Sequence, residues 1–251
     1  MYNNASYRQY SVSGVNPPFS FSRVGSTMRR QPAITAWMEA TVNQIEPDPG
    51  NDGIWFMGYK VTNPSPGVYH YEYALYNENL DRAIQSFRAP LGPGANISNI
   101  GFHAPPQHPG WLNDGTLNDQ GYSSTPWSVT QTADSITWIT ETFAQNQNAN
   151  AIRWGTLYNF RFDADQPPQS ANATVGFFKI VSSMMVAIQG PAGEATPTPT
   201  PTATATATAT AIPMATATPT GTSTPTATPR PTPTPRSSPS PRPRPTPPPR
   251  P

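Results

Sequence analysis

The chain contains no cysteine among its 251 residues. Structural disulfides, thiolate metal sites and cysteine nucleophiles are therefore excluded. Aromatic residues are missing from residues 195–251, because all 6 Trp, 10 Tyr and 10 Phe lie before residue 195, whereas 18 of the 34 prolines lie after residue 194. A segment with so few apolar side chains cannot bury a core, and we predict a disordered Pro/Thr-rich tail.

Acidic residues are also missing from the tail, which carries five arginines. Residues 1–194 carry 10 Lys and Arg against 14 Asp and Glu, a net charge of −4. Binding to nucleic acid needs clustered basic residues on the folded surface, so nucleic acid is not a predicted partner. Long apolar runs are missing too. The best one, IVSSMMVAI (180–188), is far shorter than the roughly 20 residues that span a bilayer, and no transmembrane segment is predicted.

The first twenty residues, MYNNASYRQYSVSGVNPPFS, lack the basic region and the apolar region of a signal peptide. A Thr/Pro-rich tail on a chain without cysteine is nevertheless typical of an exported bacterial protein. We therefore expect an extracellular or cell-surface location, with the export signal outside this sequence.

Apolar and polar residues alternate along segment after segment. In LYNFRFD (157–163), Tyr158, Phe160 and Phe162 share one face and polar residues share the other, which is typical of a half-buried strand. Sustained helical spacing is missing, so helices should be few and short. The alternation predicts strands at 33–42, 54–61, 69–75, 82–89, 98–104, 126–131, 135–143, 155–165 and 173–181.

About nine strands separated by turn signals predict an all-β fold, a single antiparallel β-sandwich of jelly-roll or immunoglobulin-like type. The predicted organisation is an N-terminal extension, partly irregular, at 1–32, a β-sandwich domain at 33–194 and the disordered tail rich in Thr, Pro, Ala and Arg at 195–251.

The stretch YHYEYALYNENLDRAI (69–84) carries a row of tyrosines that suits a sugar-stacking platform, a catalytic cleft around Glu72 or the buried side of a strand. The face with Tyr69, Tyr71, Tyr73 and Leu75 carries no charge, and large rings stabilise a core when buried. We therefore predict a buried face. Glu72 then lies on the polar face, where Lys60 or an arginine opposes it across the sheet.

Candidate chemistry is sparse. A glycosidase needs two carboxyl groups roughly 5–10 Å apart, and sequence spacing does not show such a pair among Glu39, Glu72, Glu141, Asp163 and Asp165. The histidines lack zinc-ligand spacing, and neither a nucleophile elbow nor a phosphate-binding loop occurs. NDGTLNDQG (113–121) offers oxygens at Asp114, Thr116 and Asn118, but Asp119 stands where a calcium loop needs glycine. We predict no enzyme activity, no metal and no cofactor.

One segment favours a binding function. Residues 105–126 show no regular alternation of apolar and polar residues and contain many turn formers. Loops of this length in compact domains are often functional. Trp111 and Tyr122 stand on either side of its polar middle and are the candidate ligand-binding residues. Two interpretations stay open, because the two rings either are displayed to a glycan or pin the loop to the sandwich.

The stretches YHYEYALYNENLDRAIQSF, NAIRWGTLYNFRFDAD and ATVGFFK resemble a group of uncharacterised exported bacterial β-sandwich proteins with a Thr/Pro/Arg-rich C-terminal tail. The similarity covers about residues 30–180. The shared motifs are structural, so the resemblance implies a fold and a location outside the cell and implies no functional residue.

Proline at nearly every second position favours an extended polyproline helix in the distal tail. Its arginines are candidates for contact with an anionic cell envelope, namely Arg230, Arg236, Arg242, Arg244 and Arg250. The sequence thus predicts a non-catalytic secreted or cell-surface module of unknown ligand whose tail is a spacer or an envelope contact, with envelope polymers or glycans as partners. The alternative is a carbohydrate-binding module or a domain associated with a glycoside hydrolase.

Overall fold

The computed structural model describes residues 5–191, and 51% of them lie in β-strands against 4% in helices. Two five-stranded antiparallel sheets pack face to face, which confirms the predicted sandwich. Ten strands form the two sheets, one more than the nine predicted segments. Among the described residues, no helix is long or apolar enough to cross a membrane.

The first sheet has the order β3-β4-β5-β10-β7. Its strands are β3 (Thr41–Ile45), β4 (Trp55–Ser65), β5 (Val68–Asn77), β7 (Ile97–His103) and β10 (Thr156–Ala164). The second sheet has the order β12-β11-β6-β9-β8. Its strands are β6 (Ile84–Pro90), β8 (Ser128–Gln131), β9 (Ser135–Ile139), β11 (Pro168–Phe177) and β12 (Ser183–Pro191).

The core between the sheets is aromatic. Phe160 on β10 is fully buried and contacts Phe87 on β6 and Trp138 on β9, with ring centroids 5.0 and 5.4 Å away. On β5, Tyr71, Tyr73 and Leu75 are fully buried and Tyr69 packs beside them, as the alternation predicts. The hydroxyl of Tyr73 donates to the carbonyl of Gln189, 2.8 Å away. The tyrosine row is therefore a core face.

The predicted strand at 33–42 is wrong. Residues Ala33–Ala36 form a 3-10 helix, and β3 begins only at Thr41. Ile34 and Trp37 rest on the outer face of the first sheet at Gly58, where an added Cβ would lie 3.1–3.2 Å from both side chains. The segment covers part of the outer face of the first sheet, and its apolar residues make that contact.

Three strands were not predicted. Strand β12 alternates inward Val186 and Ile188 with exposed Met185 at the end of the second sheet. Within the N-terminal extension, β1 (Ser6–Ser13) and β2 (Ser20–Arg29) form a separate two-stranded hairpin. Neither segment carries the dense aromatic alternation that marks the central strands.

Candidate ligand-binding site

The long connection between β7 and β8 is an ordered loop that closes on itself. A Cβ added to Gly110 would lie 2.2 Å from the carbonyl oxygen of Asp119, so only glycine allows the two ends to meet. Gly121 has a φ of +76°, and a Cβ added there would lie 2.7 Å from the backbone nitrogen of Gly110. Farther on, Asn148 fixes the loop through hydrogen bonds to both backbone groups of Leu117, at 2.8 and 2.9 Å.

The carboxylate of Asp114 organises the interior of this loop. It accepts hydrogen bonds from the hydroxyl and the backbone amide of Thr116, at 2.6 and 2.8 Å, and from the backbone amide of Trp111 at 3.1 Å. The hydrogen bond from the Thr116 hydroxyl is the main reason why the pKa of Asp114 lies below its usual value. The side-chain oxygens of Asp114 and Thr116, two of the three candidate calcium ligands, are therefore engaged in hydrogen bonds within the loop.

The two predicted binding residues have different neighbours. Trp111 is 55% exposed and stacks on His108, with ring centroids 4.0 Å apart. Tyr122 is half-buried, and the guanidinium carbon of Arg153 lies 3.9 Å from its ring centroid. Trp111 is therefore exposed on the loop, whereas Tyr122 packs against Arg153 on the body of the sandwich.

Arg153 links Tyr122 to the body of the protein. Its guanidinium lies between the rings of Tyr122 and Phe178, 3.9 and 4.9 Å from their centroids. It donates to the carbonyls of Gln147 and Ala149 at 2.9 and 3.1 Å, and burial lowers its pKa. Cation–π contacts in such a desolvated position hold the Tyr122 ring in a fixed orientation.

An open cleft of about 330 Å³ lies beside this stack. Its rim carries Trp154, which keeps 59% of its surface exposed, and an ion pair in which the Lys179 ammonium lies 2.8 Å from the Asp81 carboxylate. The lining residues are Leu80, Asp81, Ala83, Tyr122, Arg153, Trp154 and Lys179. The cleft thus combines two aromatic rings with charged hydrogen-bonding groups.

Buried asparagine side chains position the segment that carries Arg153 and Trp154. Asn150 donates to the carbonyl of Thr125 at 2.8 Å and accepts from the hydroxyl of Tyr158. The indole of Trp127 donates to the Asn150 carbonyl. Because these partners lie at the end of the long loop, directly before β8 and on β10, the sandwich framework holds the cleft in place.

Sequence reasoning missed Trp154, Arg153 and Lys179. The signal for Trp154 is its position directly before Gly155, whose φ of +72° makes the turn into β10. An aromatic residue at a turn points away from the alternating core face of the strand. The position of Arg153 against Tyr122 depends on contacts between distant segments, which no spacing in the sequence reveals.

The candidate acids are engaged in local contacts. Glu39 lies 2.8 Å from the Lys60 ammonium, and Asn146 and Asn96 donate to Glu141 and Asp165 at 2.7 and 2.6 Å. Across the first sheet, Glu72 pairs in register with both Lys60 and Arg161, as predicted, although its side chain accepts from Asn159 at 3.0 Å.

A histidine links two of these acids on the outer face of the first sheet. The Nδ1 atom of His70 lies 2.6 Å from the Asp163 carboxylate, and its Nε2 atom lies 4.0 Å from the Glu72 carboxylate. Burial alone would raise the pKa of Asp163, but hydrogen bonds from Asn99 and His70 lower it below its usual value. Asp163 therefore favours the anionic form, which suits a hydrogen-bond acceptor better than a general acid.

No protein-family model, curated protein or solved structure matches this chain. The five predicted envelope-contact arginines, Arg230, Arg236, Arg242, Arg244 and Arg250, lie outside the described residues. The geometry of the cleft is therefore the basis for a functional proposal.

Proposed function

We propose that the chain is a non-catalytic binding module of a secreted or cell-surface protein. Support comes from its carboxylates, because the pKa values of Glu39, Asp52, Asp114, Asp134, Asp163 and Asp165 all lie below the usual values. Burial raises the pKa of Glu78, but Glu78 does not line the cleft. A glycosidase needs one carboxyl group with a raised pKa beside the scissile bond. At the cleft, Asp81 forms an ion pair with Lys179.

The ligand class that suits the cleft best is a carbohydrate. The observation that carries this proposal is the exposed Trp154 ring at the rim of a cleft that also presents Tyr122, Asp81 and Lys179. Sugar rings present apolar C–H faces that pack on aromatic rings, and their hydroxyls form hydrogen bonds with charged groups. A cleft of this size lies at the lower end of small-molecule sites and suits one or two sugar units.

A glycan array probed with the full-length chain tests the proposal. Trp154→Ala should abolish binding because it removes the platform, whereas Trp111→Ala is the matched control, an equally exposed tryptophan outside the cleft. Loss of binding only in Trp111→Ala would place the site on the loop, and a wild-type array without signal would refute a carbohydrate ligand among the glycans tested.

The proposed role of the tail is to space the sandwich from the cell and to contact an anionic envelope through its arginines. The support is its composition, with basic residues confined to the distal part and no acid. Comparing envelope binding by the full chain and by a chain that ends at Glu194 tests this role separately from the glycan site.

A further inference from the structure

The N-terminal hairpin is amphipathic, and its apolar face lies open to solvent. Val12 pairs with Phe21, and Tyr10 pairs with Arg23, so these four side chains share one face. Val12 and Phe21 are 58% and 65% exposed. The opposite face carries small or polar residues for most of its length, namely Gln9, Ser11, Ser13, Ser20 and Ser22, with Val24 at one end.

The hairpin makes little contact with its own sandwich. Tyr7 and Arg8 at its base are half-buried and lie near the 3-10 helix, whereas all of β2 is exposed. A lone two-stranded hairpin is marginally stable in water, and its stability rises when an apolar face is covered. A partner surface over Tyr10, Val12 and Phe21 would therefore stabilise the hairpin.

Charge complementarity favours an acidic partner surface, and the sandwich of a second copy of this chain offers one. Residues 1–32 carry four arginines and no acid, whereas residues 33–191 carry 6 basic and 13 acidic side chains. Two hairpins placed face to face would bring the Arg23 side chains together on one apolar surface. The favourable contact joins the basic hairpin of one copy to the acidic sandwich of another.

The loop between β7 and β8 presents a matching surface. Leu112 is 79% exposed, Trp111 and Leu117 are also exposed, and the carboxylates of Asp114 and Asp119 lie in the same loop, which contains neither lysine nor arginine. Within one chain these apolar residues and those of the hairpin remain exposed, so they do not cover each other.

We propose that the hairpin of one copy docks on the 111–119 loop of a second copy. Phe21 and Val12 cover Leu112 and Leu117, and Arg23 faces the carboxylates of Asp114 and Asp119. Because each copy carries both surfaces, reciprocal docking closes a symmetric dimer. The cleft shares no lining residue with the hairpin or with the 111–119 loop, so Trp154→Ala tests the glycan site without changing either docking surface.

Sedimentation velocity of the full 251-residue chain over a concentration series tests the dimer. The wild type should dimerise, and Phe21→Ser and Leu112→Ser should each raise the dissociation constant about tenfold or more, as truncation of a central apolar contact does. Arg23→Glu should weaken the dimer at least as much, through repulsion from the loop carboxylates. Met185→Ser is the matched control, since this side chain is 71% exposed on β12.

Mixing the Phe21→Ser and Leu112→Ser chains distinguishes docking of the hairpin on the loop from other contacts. One hairpin and one loop remain intact in the mixed pair, so the mixture should associate more tightly than either variant alone. A wild type that stays monomeric at about 100 μM, well above typical dissociation constants, overturns the proposal. So does a dimer that Leu112→Ser leaves unchanged, or a mixture no tighter than its components.

Discussion

Replacing Phe160 with alanine removes the ring at the centre of the sandwich. Phe160 is fully buried, and its ring centroid lies 5.0–5.5 Å from those of Phe87, Phe102, Trp127 and Trp138. Four surrounding rings from both sheets cannot collapse into the space without moving strands. The cost should therefore lie at the upper end of the range for Phe→Ala, about 4–5 kcal/mol.

The matched control is the neighbouring Asn159→Ala on the same strand. Asn159 points to the outer face and donates one hydrogen bond to the half-exposed Glu72 carboxylate. Its loss should cost about 1 kcal/mol or less. Urea unfolding of the full chain, followed by tryptophan fluorescence, gives both values from the shifts in midpoint at constant slope. Equal losses in the two variants would refute the assignment of the faces of β10.

Three further predictions concern charged groups. Asp163→Asn should destabilise the sandwich at pH 7. The difference in urea midpoint between this variant and the wild type should shrink as the pH falls through the lowered pKa of Asp163. Urea midpoints at several pH values measure this difference, and a difference that stays constant would contradict the prediction. Burial raises the pKa of Glu78, although a hydrogen bond with Tyr76 partly opposes the shift. The stability contributed by its protonated form is thus lost as pH rises, so Glu78→Gln should raise the unfolding midpoint at pH 8 and leave it unchanged at pH 3.5; equal shifts at both values would argue against a raised pKa. Changing the five tail arginines to glutamine should weaken binding of the full chain to anionic envelope at low salt, and envelope binding that is insensitive to salt would refute electrostatic contact.

The central strands could be predicted because burial of one face is the main constraint on their residues. In β10 the alternation of Tyr158, Phe160 and Phe162 with polar residues reflects a core on one side and solvent on the other. In 33–42 the same alternation of apolar and polar residues predicts a strand, but most of the segment does not form one. Ile34 and Trp37 cover the outer face of a strand from another part of the chain, and Glu39 adopts a φ of +61° that a strand does not allow.

The candidate cleft depends on contacts that the sequence does not encode locally. The polar middle of the long loop indicated Tyr122, but its partner Arg153 comes from the connection before β10, 31 positions later. Trp154 and Lys179 converge on the same cleft only through the packing of the two sheets. Composition and period predict which faces are buried, and they do not predict which surface residues meet.

The most direct test of the account is co-sedimentation of the full chain with a polysaccharide that the array identifies, followed by measurement of the polymer's length. A binding module should pellet with the polymer and leave its length unchanged, the Trp154→Ala chain should stay in the supernatant, and Trp111→Ala should pellet like the wild type. Shortening of the polymer by the wild type, or pelleting of Trp154→Ala to the same extent as the wild type, would contradict a non-catalytic carbohydrate site at the Trp154 cleft.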